Sequence, residues 1–321
     1  MIIVTGATGF IGSCIVKELN AQGITDIILV DEEDVSDKKG NIKTLRYSRF
    51  IPKDEFKKLL DSLENIELII HMGACTSTTE YDEGYMLRNN LEYSKIIFEW
   101  CAKNKCRMIY ASSAAIYGDG SSGYDDSESK TKEFRPLNIY GGSKKKFDEH
   151  ALSSKNRPPQ WVGLRFFNVY GPNEYHKKAM ASMVFHAFNQ IKKSGKVRLF
   201  KSYDKNYPDG GQKRDFIYVK DIIKVVIFMK NNKDISGIFN VGTGTARTFR
   251  DLAIQVFKAL NMDPDIEYID MPENLKVRYQ YFTKSNIDKL RNAGYRERFL
   301  SIEEGILDYV KNYLNEDFKA Y

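Results

Sequence analysis

The stretch MIIVTGATGFIG, residues 1–12, largely determines the predicted fold. A short apolar run ends at Gly6, and Gly9 and Gly12 follow at intervals of three as an amphipathic segment begins. Glycines at a strand-to-helix junction let backbone N–H groups approach a pyrophosphate at the positive end of the helix. An ordinary tight turn is the alternative. The context favours a dinucleotide site, because Asp31 ends the next apolar run, where a ribose-binding carboxylate belongs.

Apolar and amphipathic segments alternate through the first half of the chain. The runs IIVTG, DIILVD, IELIIHMG and RMIYASS are typical of strands, and helices are predicted from about Phe10 to Gln22, near 53–63 and near 88–104. This alternation predicts an α/β fold, a Rossmann-type doubly wound parallel sheet with a smaller α/β C-terminal substrate-binding region. We expect residues 1–168 to form the cofactor domain. Residues 169–321 are expected to bind mostly substrate, with some segments returning to the first domain.

The second half and one polar segment give weaker signals. VKDIIKVVIFMKN predicts a helix, GIFNVGTG a strand and SYDKNYPDGGQK a loop. The segment 118–134, GDGSSGYDDSESKTKEF, lacks apolar periodicity, and we expect it to be an exposed loop near the site.

Composition narrows the class of protein. The chain has 321 residues and a net charge of +6, from 49 basic and 43 acidic residues without a basic block, so nucleic acid is not an expected partner. Four cysteines form no CxxC pair, which argues against a zinc site, and no metal is expected. The chain has no run of 18 apolar residues and opens without a basic leader, so we expect a cytoplasmic protein that does not span a membrane.

Tyr140 and Lys144 lie four residues apart and would share one face of a helix. Beside a nicotinamide cofactor, an ammonium group is expected to lower the pKa of the phenol toward working pH, so that the tyrosine can exchange a proton with a substrate hydroxyl. Lys145 and Lys146 would point to solvent. The alternative is that the whole lysine run is a basic helix face.

The spacing GxxGxxG resembles that of extended short-chain dehydrogenases/reductases. Ser112 and Ser113 would end a parallel strand at the crevice over the cofactor. Ser113 matches the serine of that family's Ser-Tyr-Lys set, which implies that its hydroxyl holds the substrate oxygen against Tyr140. It could instead be an ordinary strand-end serine.

A closer resemblance covers essentially the whole chain. The segments GACTSTTEYD, YASSAAIYG, PLNIYG, FNVYGPNEYHKKAMAS, KRDFIYV, GIFNVGTG and RYQYFT occur in the order typical of the bacterial ADP-L-glycero-D-manno-heptose 6-epimerase family. The GAC box with STTE and the HKKAMAS segment are the most specific of these. The resemblance implies inversion at C6 of ADP-heptose for the lipopolysaccharide inner core, in a Gram-negative cytoplasm, with NADP bound and as a homo-oligomer, expected to be a homopentamer.

The same resemblance implies the site residues. The positions that would line the cofactor are Gly6, Gly9, Phe10, Ile11, Gly12, Asp31, Glu32, Lys38, Lys53, Met72, Gly73, Ala74, Cys75, Thr76, Asn89, Lys144, Val169 and Lys177. The positions that would line the ADP-sugar are Ser113, Asn168, Ala179, His186, Phe200, Lys201, Ser202, Tyr203, Arg214 and Tyr279. Departures from the family pattern include Glu32 and Glu33 after Asp31, Met72 in place of a glutamate, Gly142 in place of a bulky residue, and Ala179 in place of a serine.

Two assignments remain open at this stage. Asp31 by itself favours NAD, whereas Lys38 and Lys53 match family positions that contact the 2′-phosphate of NADP. Lys177 aligns with the family's second acid/base, so Tyr140, Lys144, Ser113 and Lys177 form the expected catalytic set, although Lys177 could instead only attract the diphosphate.

Other functions compete with this interpretation. A different sugar-nucleotide epimerase or a 4,6-dehydratase would share the fold, but Ala114 and Ala115 stand where a dehydratase carries an acidic pair. A binding protein without turnover typically lacks the Tyr-x-x-x-Lys pair, which is intact here.

Overall fold

The computed structural model describes residues 1–78, 80–276 and 279–321. The strands of this part are β1 (Ile2–Thr5), β2 (Ile27–Asp31), β3 (Arg49–Pro52), β4 (Leu68–His71), β5 (Arg107–Ser113), β6 (Trp161–Phe166), β7 (Asn168–Tyr170), β8 (Val197–Phe200), β9 (Lys213–Tyr218), β10 (Gly237–Val241), β11 (Ala246–Thr248) and β12 (Ile266–Ile269). The α-helices are α1 (Phe10–Ala21), α2 (Lys39–Ile42), α3 (Lys53–Leu59), α4 (Glu83–Met86), α5 (Tyr93–Lys103), α6 (Ile139–Ser153), α7 (Met183–Ser194), α8 (Val219–Asn231), α9 (Phe249–Ala259), α10 (Glu273–Lys276), α11 (Asp288–Asn292) and α12 (Ile302–Tyr309).

A seven-stranded parallel sheet forms the centre, in the order β10-β6-β5-β4-β1-β2-β3. The predicted doubly wound parallel sheet is confirmed. Strand order reverses between β1 and β4, so the connections after these two strands leave in opposite directions and open a crevice at their carboxyl ends. Two smaller units complete the fold, β11-β9-β7 and β12-β8.

Both faces of the sheet are covered by apolar side chains. In β1, Ile2 and Val4 belong to one buried cluster and Ile3 to the other, because successive residues of a strand point to opposite faces. The first cluster also contains apolar residues of α1, α7, α8, α9 and α12, and the second those of α3, α5 and α6. Burial on both faces explains why these strands are continuous apolar runs in the sequence.

A buried ion pair connects the sheet to α6. Asp148 of α6 accepts a hydrogen bond from Nε of Arg165 on β6 at 3.0 Å, and both side chains are fully buried. The carboxylate also accepts from the hydroxyls of Ser112, at 3.0 Å, and Tyr110, at 3.2 Å. Arg165 donates in turn to the Tyr117 hydroxyl at 3.1 Å. Each of these polar groups is satisfied, as a buried charged pair requires.

The structure corrects two predicted elements. The helix expected near 88–104 already begins with α4 at Glu83 and continues through a π-helical segment, Leu87–Glu92, into α5. The segment 118–134 is not simply an exposed loop, because Asp126, Thr131 and Phe134 are buried. Apolar periodicity is too short there to indicate this anchoring from the sequence.

The described residues include no helix that is both long and apolar enough to cross a membrane. They also contain no cluster of three histidine, cysteine, aspartate or glutamate residues that could hold a metal ion.

Candidate active site

The glycine turn after β1 is closely packed and leaves the start of α1 open. Gly6 has a φ of +64°, and a Cβ atom there would lie 2.7 Å from the Cα and N atoms of Gly73. A Cβ atom on Gly12 would lie 2.1 Å from the carbonyl oxygen of Gly6. No side chain of the described residues caps the first turn of α1, which contains no acidic residue. The free N–H groups at this helix start suit a pyrophosphate.

Acidic and basic side chains alternate where β2 and β3 end. Asp31 accepts backbone hydrogen bonds from Thr8 and Glu32, both at 2.9 Å, and lies 3.2 Å from Nζ of Lys38. Nζ of Lys53 lies 2.6 Å from Glu32. Burial alone would raise the pKa of Asp31, but Lys38 and the hydrogen bonds from Thr8 and Glu32 outweigh burial and lower it. Each predicted lysine is therefore paired with a carboxylate.

The loop after β4 and the π-helical segment Leu87–Glu92 form the opposite wall. Asn89 accepts a hydrogen bond from Nζ of Lys53 at 3.0 Å. This bond connects the opposite wall to the side of the cavity that carries Asp31 and Glu32. Together these elements enclose a cavity of about 410 Å³. Its predicted lining residues are Gly6, Gly9, Phe10, Ile11, Gly12, Asp31, Glu32, Lys38, Lys53, Met72, Gly73, Ala74, Cys75, Thr76, Asn89 and Lys177. The open helix start, the glycine cradle and this cavity fit a dinucleotide.

A second cavity, of about 350 Å³, adjoins the first, since Phe10, Met72 and Lys177 line both. It contains predicted catalytic, substrate and cofactor residues from the end of β5, from β7, from α6 and from the segment Tyr175–Met180. These are Ser113, Tyr140, Lys144, Asn168, Val169 and Lys177.

Helix α6 places Tyr140 and Lys144 in this second cavity. Asn138 caps the helix by accepting the N–H of Gly141 at 2.8 Å. Nζ of Lys144 donates to the carbonyl oxygen of Ala111 at 2.7 Å, and burial lowers the pKa of Lys144 to about 8. The Tyr140 phenol hydrogen bonds with Ser113.

The lowered pKa of Tyr140 is expected beside a bound nicotinamide, and the protein alone does not produce it. Burial raises the pKa of the phenol, and the hydrogen bond with Ser113 only partly opposes this rise. Lys144 directs its ammonium group to a backbone carbonyl instead. The low phenol pKa expected from the sequence therefore depends on a further positive charge in the cavity.

Lys177 reaches the site from a short 3-10 helix, Tyr175–Met180. Its Nζ atom lies 5.5 Å from the centroid of the Phe10 ring. Burial lowers the pKa of Lys177, and the charge of the buried Glu174 opposes this shift. Lys178, by contrast, is exposed, and has a φ of +49°, rare for a residue with a side chain.

The remaining predicted substrate residues lie outside the two cavities. These are Ala179, His186, Phe200, Lys201, Ser202, Tyr203, Arg214 and Tyr279. Ala179 and His186 form a pair of their own, with Nε2 of the histidine 3.4 Å from the Ala179 carbonyl oxygen. Lys201 and the Tyr203 hydroxyl both contact Asp270.

Arg214 connects this second group to the cavities. Its guanidinium carbon lies 5.5 Å from the ring centroids of both Phe249 and Tyr279, and Phe249 lines the second cavity. The side chain is buried, and among the described residues it has no carboxylate partner within ion-pair distance. A buried guanidinium without a counter-ion suits an anionic ligand.

Sequence reasoning missed several residues of the cavity walls. Tyr85, His176 and Met180 line the first cavity, and Ser182 and Met183 line the second. His176 and Met180 lie close to Lys177 in the HKKAMAS segment, and this closeness in sequence could have predicted that they line the cavity. Tyr85 precedes Asn89 by one helical turn and accepts its side-chain N–H at 2.9 Å, but its own segment had not been predicted as helix.

The profile of the NAD dependent epimerase/dehydratase family matches residues 2–242. The chain belongs to this family. As a member it uses a nicotinamide cofactor, which the first cavity fits.

Individual relatives are more specific. The chain is 50% identical to a Fusobacterium nucleatum protein named ADP-L-glycero-D-manno-heptose-6-epimerase, over 99% of each chain. It is 47% identical to a Nitratidesulfovibrio vulgaris protein of the same name, over 98% of each. The resemblance found from the sequence motifs is thus confirmed.

Solved structures of related enzymes share the fold. A Helicobacter pylori ADP-L-glycero-D-manno-heptose-6-epimerase superimposes with a TM-score of 0.81 and 27% identity, covering 97% of this chain and 95% of that one. A Thermus thermophilus UDP-glucose 4-epimerase in complex with NAD gives 0.77 and 25%, covering 96% and 97%.

Proposed function

We propose that this enzyme inverts C6 of the heptose in ADP-D-glycero-β-D-manno-heptose to give the L-glycero epimer, a precursor of the lipopolysaccharide inner core. The names of the near-full-length relatives support this substrate. The observation in the structure that carries the proposal is that two groups able to transfer protons, Tyr140 and Lys177, line one cavity from different elements.

The two groups suit inversion at an exocyclic carbon. A nicotinamide cofactor held in the first cavity would supply the hydride chemistry, accepting and returning the hydride of C6, so that no external oxidant would be consumed. Between these steps, rotation about the C5–C6 bond can present the other face of the C6 ketone. Tyr140 exchanges the proton of the C6 oxygen in one orientation, with Ser113 holding that oxygen, and Lys177 exchanges it in the other. Burial helps Lys177 by favouring its neutral form.

Arg214 and its aromatic neighbours are proposed to hold the ADP. The buried guanidinium can pair with the diphosphate, while Phe200 and Tyr279, whose ring centroids are 6.5 Å apart, offer apolar surface to the nucleoside. Residues 1–168 would then bind mainly the cofactor and residues 169–321 mainly the sugar nucleotide. Lys201, Ser202, Tyr203, His186 and Ala179 are retained as proposed contacts at the outer end of the sugar nucleotide.

We infer NADP as the preferred cofactor. Lys38 and Lys53 line the first cavity near the ribose end and can turn to a 2′-phosphate, but only by leaving Asp31 and Glu32. Titration of cofactor-free protein tests this inference. Tighter binding of NADPH than NADH, lost in Lys38→Ala and Lys53→Ala, is expected, whereas tight NADH binding that neither variant changes would contradict it.

The decisive experiment follows the C6 proton of ADP-D-glycero-β-D-manno-heptose by NMR. Interconversion is expected with the heptose and not with UDP-glucose, the substrate of the structurally similar 4-epimerases. Conversion of UDP-glucose alone would assign the alternative sugar-nucleotide epimerase function. Cofactor binding without any turnover would support a binding protein.

We further infer a homopentamer that acts in the cytoplasm. Light scattering tests the assembly, and a monomer at micromolar concentration would contradict it.

A further inference from the structure

A chain of buried hydrogen bonds runs behind the cofactor cavity. The Gly73 N–H donates to Oγ1 of Thr5 at 3.2 Å, and this oxygen lies 2.6 Å from Nδ1 of His71. On the other side of the ring, Nε2 lies 2.9 Å from Oγ of Ser94. Ser94 in turn donates to the Asn90 carbonyl oxygen at 2.5 Å.

Donor counting gives this chain one direction. The Asn90 carbonyl can only accept, so the single hydroxyl hydrogen of Ser94 is committed to it. Ser94 therefore accepts from His71, which places the ring hydrogen on Nε2. Burial, together with the charge of Lys144, lowers the pKa of His71 to about 3, so the ring carries no second hydrogen. Nδ1 accepts from the hydroxyl of Thr5, whose oxygen is left to accept from Gly73.

The loop on which this chain ends has little freedom of its own. The backbone of Gly73 packs directly against the backbone of Gly6, with no space for a side chain between them. Met72, Gly73 and Cys75 line the cofactor cavity. A shift of the Gly73 backbone toward Gly6 would produce a clash, and a shift away would widen the cavity. Its hydrogen bond to Thr5 therefore sets the position of this wall.

The far end of the chain reaches the catalytic helix. The side-chain amide of Asn90 forms two hydrogen bonds with the backbone of Cys75. Its Oδ1 atom accepts from the Cys75 N–H at 2.8 Å, and its Nδ2 atom donates to the Cys75 carbonyl oxygen at 2.9 Å. The same amide donates to Ser143 at 3.1 Å, and Ser143 donates to the Tyr140 carbonyl oxygen at 2.7 Å. Asn90 belongs to the π-helical segment, a geometry common at functional sites. One buried network thus joins the cofactor loop to the helix of Tyr140.

We propose that His71 is a positioning residue for cofactor binding, whose neutral Nε2–H form orients the Thr5 hydroxyl and so fixes the loop 72–76 against the glycine turn. A neutral imidazole can accept at Nδ1 and donate at Nε2, as the two ends of this chain require. The inference rests on the nicotinamide cofactor alone and not on the heptose, so it can fail while the proposed epimerase function stands.

The first test is the tautomer. The chain has four histidines, and ¹⁵N NMR of the cofactor-loaded protein distinguishes a protonated from an unprotonated ring nitrogen at each. His71→Asn assigns the signal. A protonated Nε2 and an unprotonated Nδ1, unchanged from pH 6 to 8, are expected. A protonated Nδ1, or titration in this range, would overturn the proposal.

The second test is cofactor affinity. Thr5→Val removes the hydroxyl with little change in shape and should raise the Kd for NADPH or NADH about tenfold, the usual scale for one buried hydrogen bond. His71→Asn should give a similar loss, and the double variant little more, because both substitutions break one chain. His150→Asn, on the outer side of α6, is the control and should keep the original Kd.

Ser94→Ala separates positioning from simple packing. Without the Ser94 acceptor the ring can move its hydrogen to Nδ1, so a mixture of tautomers and a weaker cofactor affinity should appear together. All affinities are compared where circular dichroism shows each variant folded. Wild-type Kd values in folded Thr5→Val and Ser94→Ala would show that the chain only stabilises the fold and would refute the proposal.

Discussion

Lys144 donates a hydrogen bond from Nζ to the carbonyl oxygen of Ala111, 2.7 Å away, and so ties α6 to the end of β5. Because the ammonium group is buried, its pKa falls from 10.5 to about 8. Between these two values the unfolded chain holds a proton that the folded chain has released. The contribution of this group to stability therefore rises with pH from 8 to 10.5.

This difference can be measured against Lys144→Met. As pH rises from 8 to 10, the free energy of unfolding of the natural protein should increase relative to the variant by about 2–3 kcal/mol. Urea unfolding at pH 8, 9 and 10 measures it, with Lys146→Met on the exposed side of the same helix as control. A constant difference would show that Lys144 is not buried as described.

Tyr140→Phe and Lys177→Met should each reduce epimerisation by about 100-fold or more, the usual scale for loss of an acid/base group. Both variants should still disproportionate an analogue that carries an aldehyde at C6, oxidising one molecule to the acid and reducing another to the alcohol, because each keeps one base. Lys178→Met is the matched control. If Lys178→Met abolishes activity and Lys177→Met does not, the assignment is wrong by one residue.

Glu174→Gln should move the pH profile of the reaction. The negative charge of Glu174 opposes the fall in the pKa of Lys177, so removing it should lower that pKa further. The part of the kcat–pH profile that rises as Lys177 loses its proton should then lie at lower pH than in the natural protein. The double variant with Lys177→Met should lose this part altogether, and a profile that Glu174→Gln leaves in place would contradict the role of Lys177.

Gly12→Ala should abolish cofactor binding. Its Cβ atom would lie 2.1 Å from the Gly6 carbonyl oxygen, so the glycine turn must open. Gly40→Ala in α2 meets nothing within 4 Å and serves as the control. Fluorescence titration with NADPH measures both, and normal binding by Gly12→Ala would show that this turn does not hold the pyrophosphate.

Asp148→Asn should destabilise the protein by about 3–5 kcal/mol, because it leaves the fully buried Arg165 without its counter-ion. Arg165→Met should cost a similar amount. The double variant should lose less than the sum of the two, as urea denaturation can show. Additive losses would mean that the two charges do not interact.

The sequence predicted the parallel sheet and the helix Val219–Asn231 because apolar periodicity reports burial directly. It predicted the glycine turn and Asp31 because they occupy fixed places in a βαβ unit, whereas the other walls of the first cavity came from the family resemblance. Contacts between distant segments left no such signal. Two contacts depend on how segments distant in sequence pack together. These are the ion pair of Lys53 with Glu32 and the hydrogen bond from Lys144 to the carbonyl oxygen of Ala111 rather than to Tyr140.

Strand β10 comes late in the chain, yet it forms an edge of the central sheet beside β6. The chain therefore leaves the central sheet after β6, forms β7, β8, β9, α7 and α8, and returns to finish the sheet. Cutting after residue 168 would remove the strand that pairs with residues 162–166 of β6. Residues 1–168 therefore do not form the complete central sheet by themselves.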